Sequence, residues 1–126
     1  MSIAPLIAIV DDDEAMREAL ADLVELLGYK SVSYESAIEF LAAGRSTWPD
    51  CVILDVQMPG MSGLDLQERL MGEASPPPII FVTSFAEPEL RAKAIRAGAY
   101  CMLSKPTPSD VLEKCLHDVL GDAHAH

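Results

Sequence analysis

The stretch Cys51-Val52-Ile53-Leu54-Asp55 decides the fold, because it is an uninterrupted apolar run that ends in a carboxylate. Such a run, bounded by turn residues, is typical of a strand buried on both faces of a parallel sheet. Comparable runs occupy residues 6–10, 31–34, 79–82 and 99–103. Of the five runs, only residues 31–34 alternate apolar and polar side chains, which predicts an edge strand.

The segments between these runs have helical spacing and helix-start residues. Residues 14–27 place apolar side chains three and four positions apart, with Asp13 before them as a candidate cap and Gly28 after them as a stop. The other helices have their own start signals, which are Ser36 with Glu39 as a capping box, Ser62, Pro88 and Ser109. Five strand–helix alternations predict an α/β fold, namely a doubly wound five-stranded parallel sheet with helices on both faces.

Length and composition limit the possible functions. The chain has 126 residues, half of them hydrophobic, so we expect a single domain over residues 1–126 with an ordered core at about 5–120 and no effector domain. The net charge of −11 argues against direct binding of nucleic acid. No basic leader precedes an apolar segment, and no run is long enough to span a bilayer. We therefore expect a cytoplasmic protein that does not bind membranes.

The cysteines and histidines do not predict a metal site. Three cysteines, Cys51, Cys101 and Cys115, are an odd number with no metal-ligand spacing, so we predict reduced thiols in the core. Three histidines lie near the C-terminus, and they are too sparse for a metal centre; they are His117, His124 and His126.

Polar residues follow four of the apolar runs, at the point where each run ends. These residues are Asp11 and Asp12 after the first run, Asp55 after the third, Thr83 after the fourth and Lys105 after the fifth. The carboxyl ends of parallel strands lie at one edge of a sheet, which is where ligands bind in such folds. We therefore expect these side chains to converge. Each residue taken alone has a simpler interpretation, which is a helix cap for Asp11, Asp12 or Thr83 and a solvated charge for Lys105.

The expected chemistry of this site is phosphoryl transfer. Three adjacent carboxylates repel one another unless a cation compensates them, and oxygen ligands with open positions suit Mg²⁺ or Mn²⁺. An ammonium group on Lys105 and a hydroxyl on Thr83 can hold phosphoryl oxygens. In this arrangement Asp55 is the nucleophile and forms an acyl phosphate.

These residues resemble the response-regulator receiver family over essentially the whole chain. The resemblance rests on four segments: Ile9-Val10-Asp11-Asp12-Asp13-Glu14 followed by Arg17, Leu54 to Leu64 around Met58-Pro59-Gly60, Phe81-Val82-Thr83-Ser84, and Ala97-Gly98-Ala99 with Lys105-Pro106. The variant looks nearest to the nitrogen-fixation regulator type. The resemblance implies a CheY-like sheet with strand order 2-1-3-4-5.

The resemblance also implies a role for each site residue. Asp55 is then the phosphorylated aspartate, and the metal site consists of Asp11, Asp12, Asp55 and the backbone carbonyl of Gln57. In this set Asp12 binds the metal directly and Asp11 acts mostly through water. Thr83 and Lys105 bind the phosphoryl oxygens, and the Lys105–Pro106 peptide bond is cis. The phosphodonor is a sensor histidine kinase or a phosphotransfer protein, and the chain is a switch rather than a conventional enzyme. A homodimer through the face of the fourth helix, fifth strand and fifth helix is a further expectation.

Two departures from the family pattern concern the switch. Met102 stands three residues before Lys105, where the family usually has Tyr or Phe, and Tyr100 lies two positions earlier on what we expect to be the same strand. Thr107 replaces a common Phe after Lys105-Pro106. We also hypothesise that Phe85, two residues after Thr83, shields the acyl phosphate from water.

Other classes of function remain open at this point. One is a metal-dependent phosphatase of the haloacid dehalogenase type, with Asp11 as nucleophile and Asp13 as acid, although this leaves Asp55 unexplained. Another is a pseudo-receiver, an interaction module that never accepts phosphate. A flavin-binding flavodoxin-like protein is disfavoured, because its first loop should offer Ser, Thr and Gly rather than acidic residues to a phosphate.

Overall fold

The computed structural model describes residues 4–44, 48–84 and 86–121. Strands and helices alternate throughout this part of the chain. The strands are β1 (Leu6–Val10), β2 (Lys30–Tyr34), β3 (Cys51–Leu54), β4 (Ile79–Thr83) and β5 (Cys101–Ser104). The helices are α1 (Glu14–Leu26), α2 (Ala37–Ala43), α3 (Gly63–Met71), α4 (Pro88–Arg96) and α5 (Ser109–Leu120).

All five strands pair in parallel in a sheet of order β2-β1-β3-β4-β5, as the resemblance predicted. The registers align the strand ends: Val10 pairs with Leu54, and Thr83 pairs with Ser104. Parallel alignment therefore brings the residues that follow β1, β3, β4 and β5 to one edge.

Two apolar clusters cover the two faces of the sheet. One cluster joins the sheet to α2, α3 and α4 through side chains such as Phe40, Leu66 and Ala94. The other joins it to α1 and α5 through Val24 and Leu116. No helix among the residues described is both long and apolar enough to cross a membrane.

Several sequence predictions of strand position need correction. β2 begins at Lys30 and β5 at Cys101, one residue earlier and two residues later than expected. Ala99 lies outside β5 because its N–H donates to Ala94 O (3.0 Å) at the end of α4. The prediction of full burial on both faces is wrong for β5, since it is an edge strand whose side chains, apart from Met102, are half-buried or exposed.

Two of the predicted caps also differ in the structure. Ser36 accepts from Glu39 N (3.0 Å), but the Glu39 carboxylate accepts from Glu35 N (3.4 Å) rather than from Ser36, so the box is displaced by one residue. Ser109 does not cap α5. It already lies inside the helix, because the hydrogen bonding of the first turn starts from the carbonyl of Pro108.

Candidate functional site

Three carboxylates meet at the carboxyl edge of the sheet, as the sequence predicted. Asp11 and Asp12 follow β1, Asp55 follows the adjacent β3, and one carboxylate oxygen from each lies within 4.8 Å of the other two. Asp11 and Asp55 are buried, at 2% and 8% exposure, whereas Asp12 is exposed. Among the three carboxylates, Asp12 is thus the one most open to solvent.

Lys105 forms a bridge between the two buried carboxylates. Its Nζ lies 2.8 Å from Asp11 Oδ2 and 3.1 Å from Asp55 Oδ2. The backbone N–H of Lys105 donates to Thr83 O (2.9 Å), which extends the pairing of β4 and β5 by one bond beyond the strands. Because this bond fixes the backbone at the end of β5, the Lys105 side chain reaches across the end of β4 to the end of β3.

Local hydrogen bonds fix the orientation of Asp11. Its Oδ1 accepts from Asp13 N (2.9 Å), and its backbone carbonyl accepts from Arg17 Nη1 (2.7 Å). Asp13 in turn caps α1, since its carboxylate accepts from Ala15 N and Met16 N. The predicted cap is therefore confirmed, and Asp13 is engaged rather than available as the acid of a phosphatase.

Gly63 determines how closely α3 approaches the site. A Cβ at this position would lie 2.0 Å from the carbonyl oxygen of Asp55 and 3.0 Å from Val56 Cα. The Gly63 N–H also donates to Val56 O (2.8 Å). The glycine thus allows α3 to lie in close contact with the backbone of Asp55.

Burial and neighbouring charges shift the pKa values of both Asp11 and Lys105, for different reasons. Burial raises the pKa of Asp11 above its ordinary value of 3.8; the charge of Asp55 adds to this effect, and hydrogen bonds from Lys105 and Asp13 only partly oppose it. Burial opposes the charge on Lys105 as well, but hydrogen bonds to the two carboxylates outweigh it, so that the pKa of Lys105 is raised. The ammonium is therefore firmly charged, and the cluster still lacks positive charge.

The donor set fits a divalent metal ion. Asp55 Oδ1 is buried and has no hydrogen-bond partner among the described residues, a state that normally costs about 1–3 kcal/mol. It belongs to a set of three carboxylates whose oxygens lie close enough to share one ion. Small oxygen-binding cations such as Mg²⁺ use one or two carboxylates and keep water on their open positions.

The other residues predicted for the site lie around this cluster. Thr83 is fully buried at the end of β4. Gln57 is exposed and lines, with Asp12 and Met58, an open depression of about 480 Å³. The Lys105–Pro106 peptide bond is cis. Three residues from the sequence analysis lie outside the described residues. They are Phe85, the suggested shield of the acyl phosphate, and the C-terminal histidines His124 and His126.

The departures from the family pattern have clear positions in the structure. Met102 is buried at 3% exposure and packs in the cluster beneath α4. Tyr100 precedes β5 instead of lying in it, is 43% exposed, and donates through its hydroxyl to Asp118 Oδ2 (2.9 Å) on α5. It therefore does not take the place of the missing aromatic. Thr107 Oγ1 donates to Ser104 O (2.7 Å) and closes the turn after β5.

Two polar contacts were not predicted from the sequence. Arg17 was noted only as part of a motif, yet its guanidinium donates to the backbone carbonyl of Asp11. Its position one helical turn after the Asp13 cap could have indicated this contact. Gln67 is 1% exposed on α3, and its Nε2 donates to Ala94 O (2.9 Å) on α4. A single Gln in an amphipathic helix gives no such signal, because its burial depends on where α4 packs.

Comparison with known proteins agrees with this geometry. Residues 7–117 match the model of the response regulator receiver domain. The chain is 43% identical over 101 residues to the response regulator protein TmoT of Ectopseudomonas mendocina, covering 80% of this chain and 46% of TmoT. It is 33% identical over 117 residues to the transcriptional regulatory protein FixJ of Bradyrhizobium diazoefficiens, covering 93% of this chain and 57% of FixJ.

A solved structure shows the same fold. The response regulator receiver protein from Burkholderia phymatum superimposes with a TM-score of 0.81 at 39% identity, covering 93% of this chain and 95% of that one. The chain spans only between 23% and 57% of the full length of the curated relatives named DctD, TmoT and FixJ. The activities of those longer proteins therefore do not transfer directly to this chain.

Proposed function

Because this chain belongs to the response regulator receiver domain family and is a two-component phosphoacceptor, we propose that Asp55 is the residue that accepts the phosphoryl group. One observation carries the choice among the carboxylates: Asp55 Oδ2 is held by Lys105, while Oδ1 is buried without a partner among the described residues. Asp11 has both a backbone donor and Lys105 on its carboxylate, and Asp13 caps a helix. Asp55 is thus the carboxylate that most needs a new partner.

We propose that the metal ligands are the carboxylates of Asp12 and Asp55 with the backbone carbonyl of Gln57, and that Asp11, whose two carboxylate oxygens already accept hydrogen bonds, acts mostly through water. Bound Mg²⁺ or Mn²⁺ supplies charge neutralisation and orientation of the phosphoryl oxygens. The position of Gln57 beside Asp12 in the same open depression supports its inclusion.

The residues of the chain have separate tasks in the transfer. One oxygen of Asp55 attacks phosphorus, the bond from phosphorus to the donor's imidazole nitrogen breaks, and the imidazole takes up a proton. The ammonium of Lys105 has three N–H donors, two of which are directed at carboxylates, and it turns toward the incoming phosphoryl oxygens. Thr83 donates its hydroxyl to another of these oxygens.

The partner is a histidine kinase, as the family requires; whether the phosphoryl group comes from it directly or through a phosphotransfer protein is part of the proposal. We place the reaction in the cytoplasm. The phosphorylated chain controls a partner or an output domain through α4, β5 and α5, where the exposed Ile95, Tyr100 and Val111 offer apolar contact area. Dimerisation through this face is one form of that output.

The test is incubation with acetyl phosphate and Mg²⁺, followed by intact-mass measurement of the wild type, Asp55→Asn and Asp50→Asn. Asp50 is a matched control, because it lies at the opposite end of β3 and its carboxylate accepts from Leu6 N (2.8 Å), a bond that Asn can keep. We expect one phosphoryl group on the wild type and on Asp50→Asn, none on Asp55→Asn, and none without the metal.

Other outcomes would contradict specific parts of the proposal. An adduct that persists in Asp55→Asn would mean that another residue is the nucleophile. No adduct on folded wild-type protein with any divalent ion would support the pseudo-receiver alternative. An adduct that forms equally with a chelator present would remove the metal from the mechanism.

A further inference from the structure

Two of the three cysteine thiols lie against each other on the face made by β5 and α5. Cys101 is the first residue of β5, Cys115 is in the second turn of α5, and the Cys101 thiol donates to Cys115 Sγ at 3.2 Å. This separation is shorter than the contact of two non-bonded sulfur atoms that only pack together. The two cysteines belong to different elements and are fourteen residues apart in the chain, so the sequence spacing did not predict their contact.

From this juxtaposition we propose that Cys101 and Cys115 form an intramolecular disulfide when the protein meets a peroxide, and that this bond fixes β5 against α5. A disulfide has an S–S length of about 2.05 Å, so the two sulfur atoms must approach by about 1.2 Å. β5 is the edge strand of the sheet, with no strand beyond it among those described, so small shifts there do not disrupt a second ladder.

Solvent exposure favours oxidation of Cys101 and Cys115 over oxidation of Cys51. Cys101 and Cys115 are both half-buried, whereas Cys51 is fully buried in β3. Burial raises the pKa of Cys51 to about 12, which keeps that thiol protonated. Burial also raises the pKa of Cys101, but this thiol is only half-buried and already lies in contact with Cys115. The pair is therefore accessible to an oxidant, whereas Cys51 is not.

The oxidation proceeds in two balanced steps. The sulfur of one cysteine of the pair attacks one oxygen of hydrogen peroxide, the O–O bond breaks, and a sulfenic acid and one water form. The sulfur of the other cysteine then attacks the sulfenic sulfur, the S–O bond breaks, and a second water leaves with the thiol proton. The two thiols lose two electrons together, and the peroxide is reduced to two waters.

The bond would act on the region through which a receiver signals. Met102 follows Cys101 directly and Lys105 lies at the end of the same strand, so a covalent link at Cys101 restricts the strand that joins the site to α5. A second contact between the same regions, from Tyr100 to Asp118, already ties them at the surface. Oxidation therefore adds a redox input to the face that contains α5.

The experiment is to treat the reduced 126-residue chain with hydrogen peroxide, block free thiols by alkylation in denaturant, and map tryptic peptides. Cleavage after Arg96 and Lys114 places Cys101 in residues 97–114 and Cys115 in residues 115–126, since the Lys105–Pro106 bond resists trypsin. We expect these two peptides to be joined, with a mass lower by two hydrogens. The Cys51 peptide, residues 46–69, should be recovered in the alkylated form.

Variants and stability provide the control. The closed loop of fifteen residues predicts that oxidation raises the unfolding midpoint by about 10 °C. Cys101→Ser and Cys115→Ser should each lose this shift, and Cys51→Ala should keep it. If one of these variants does not fold, the peptide map of the wild-type chain still tests the proposal.

The proposal is overturned if both cysteines are recovered alkylated after treatment, if one is overoxidised without a linked peptide, or if the bond joins two chains. The assay contains neither a phosphodonor nor a metal. Its outcome is therefore independent of whether Asp55 is phosphorylated.

Discussion

A methyl group at position 63 would collide with the backbone of Asp55, the proposed phosphoacceptor, so Gly63→Ala tests how the site is built. The added Cβ would lie 2.0 Å from Asp55 O and 2.9 Å from Asp55 C. An ordinary contact is about 3.4 Å, so α3 and the Asp55 peptide must separate by about 1.4 Å. The obstacle is main chain, which cannot rotate away as the end of a flexible side chain could.

The expected loss of stability follows from this geometry. Overpacking costs about 1–3 kcal/mol, and a backbone obstacle places Gly63→Ala at the upper end, about 3 kcal/mol. With a urea slope of roughly 2 kcal/mol/M, the unfolding midpoint should fall by about 1.5 M. Gly72→Ala is the matched control at the other end of α3. Its φ is −78°, its nearest neighbour is 3.4 Å away, and it should be neutral or up to about 1 kcal/mol stabilising.

Phosphorylation should also be impaired in the same variant. A shift of about 1 Å at a reacting group can cost on the order of 100-fold in rate, so phosphorylation of folded Gly63→Ala by acetyl phosphate should slow by about that factor. Urea unfolding and a time course of intact mass measure the two effects separately. The reasoning is refuted if Gly63→Ala matches Gly72→Ala in both midpoint and phosphorylation rate.

Substitutions at three further positions, Asp11, Tyr100 and Gln67, test individual buried or hydrogen-bonded groups. Burial holds the pKa of Asp11 above 3.8, so its contribution to stability is fully present below pH 3.8 and is lost as the pH rises through the native pKa. When unfolding by urea is measured without metal at a series of pH values, Asp11→Asn should remove this loss of stability with rising pH. An unchanged loss in the variant would contradict the assignment to Asp11. Tyr100→Phe should return the lowered pKa of Asp118 toward its ordinary value in an NMR titration, because the Tyr100 hydroxyl is the main cause of the shift. Gln67→Leu should change stability by less than about 1 kcal/mol, since Ala94 O keeps a backbone donor, whereas Gln67→Ala should cost about 2–3 kcal/mol; equal losses would refute the cavity argument.

The parts of the fold that depend on periodicity were predictable from the sequence. Continuous apolar runs identified β1, β3 and β4, and the alternation in residues 31–34 identified an edge strand, because exposure on one side of a sheet leaves a period of two. Asp11, Asp12 and Asp55 were expected to meet for a geometric reason, since parallel strands end at one edge. Strand order came from the family resemblance and not from the pattern itself.

The parts that depend on tertiary packing were not predictable from the sequence. The run at 99–103 is as apolar as a central strand, and only the strand order shows that β5 is an edge. The approach of Cys101 to Cys115 depends on how α5 lies on the sheet, and the burial of Gln67 depends on the end of α4. Local sequence has no information on either, because the contacting residues are far apart in the chain.

Charge balance explains why the site needs a cation more after phosphorylation than before it. Three carboxylates and the Lys105 ammonium leave two net negative charges when all are ionised. Phosphorylation of Asp55, as proposed, replaces one carboxylate charge with a phosphoryl group that has about two, and the chain adds no positive group in return. Lys105 has a single positive charge, which the carboxylates already outweigh, so it cannot neutralise the new charge alone. Since coupling between two ligands is reciprocal, a divalent ion that binds the phosphorylated site more tightly must stabilise that state by the same factor.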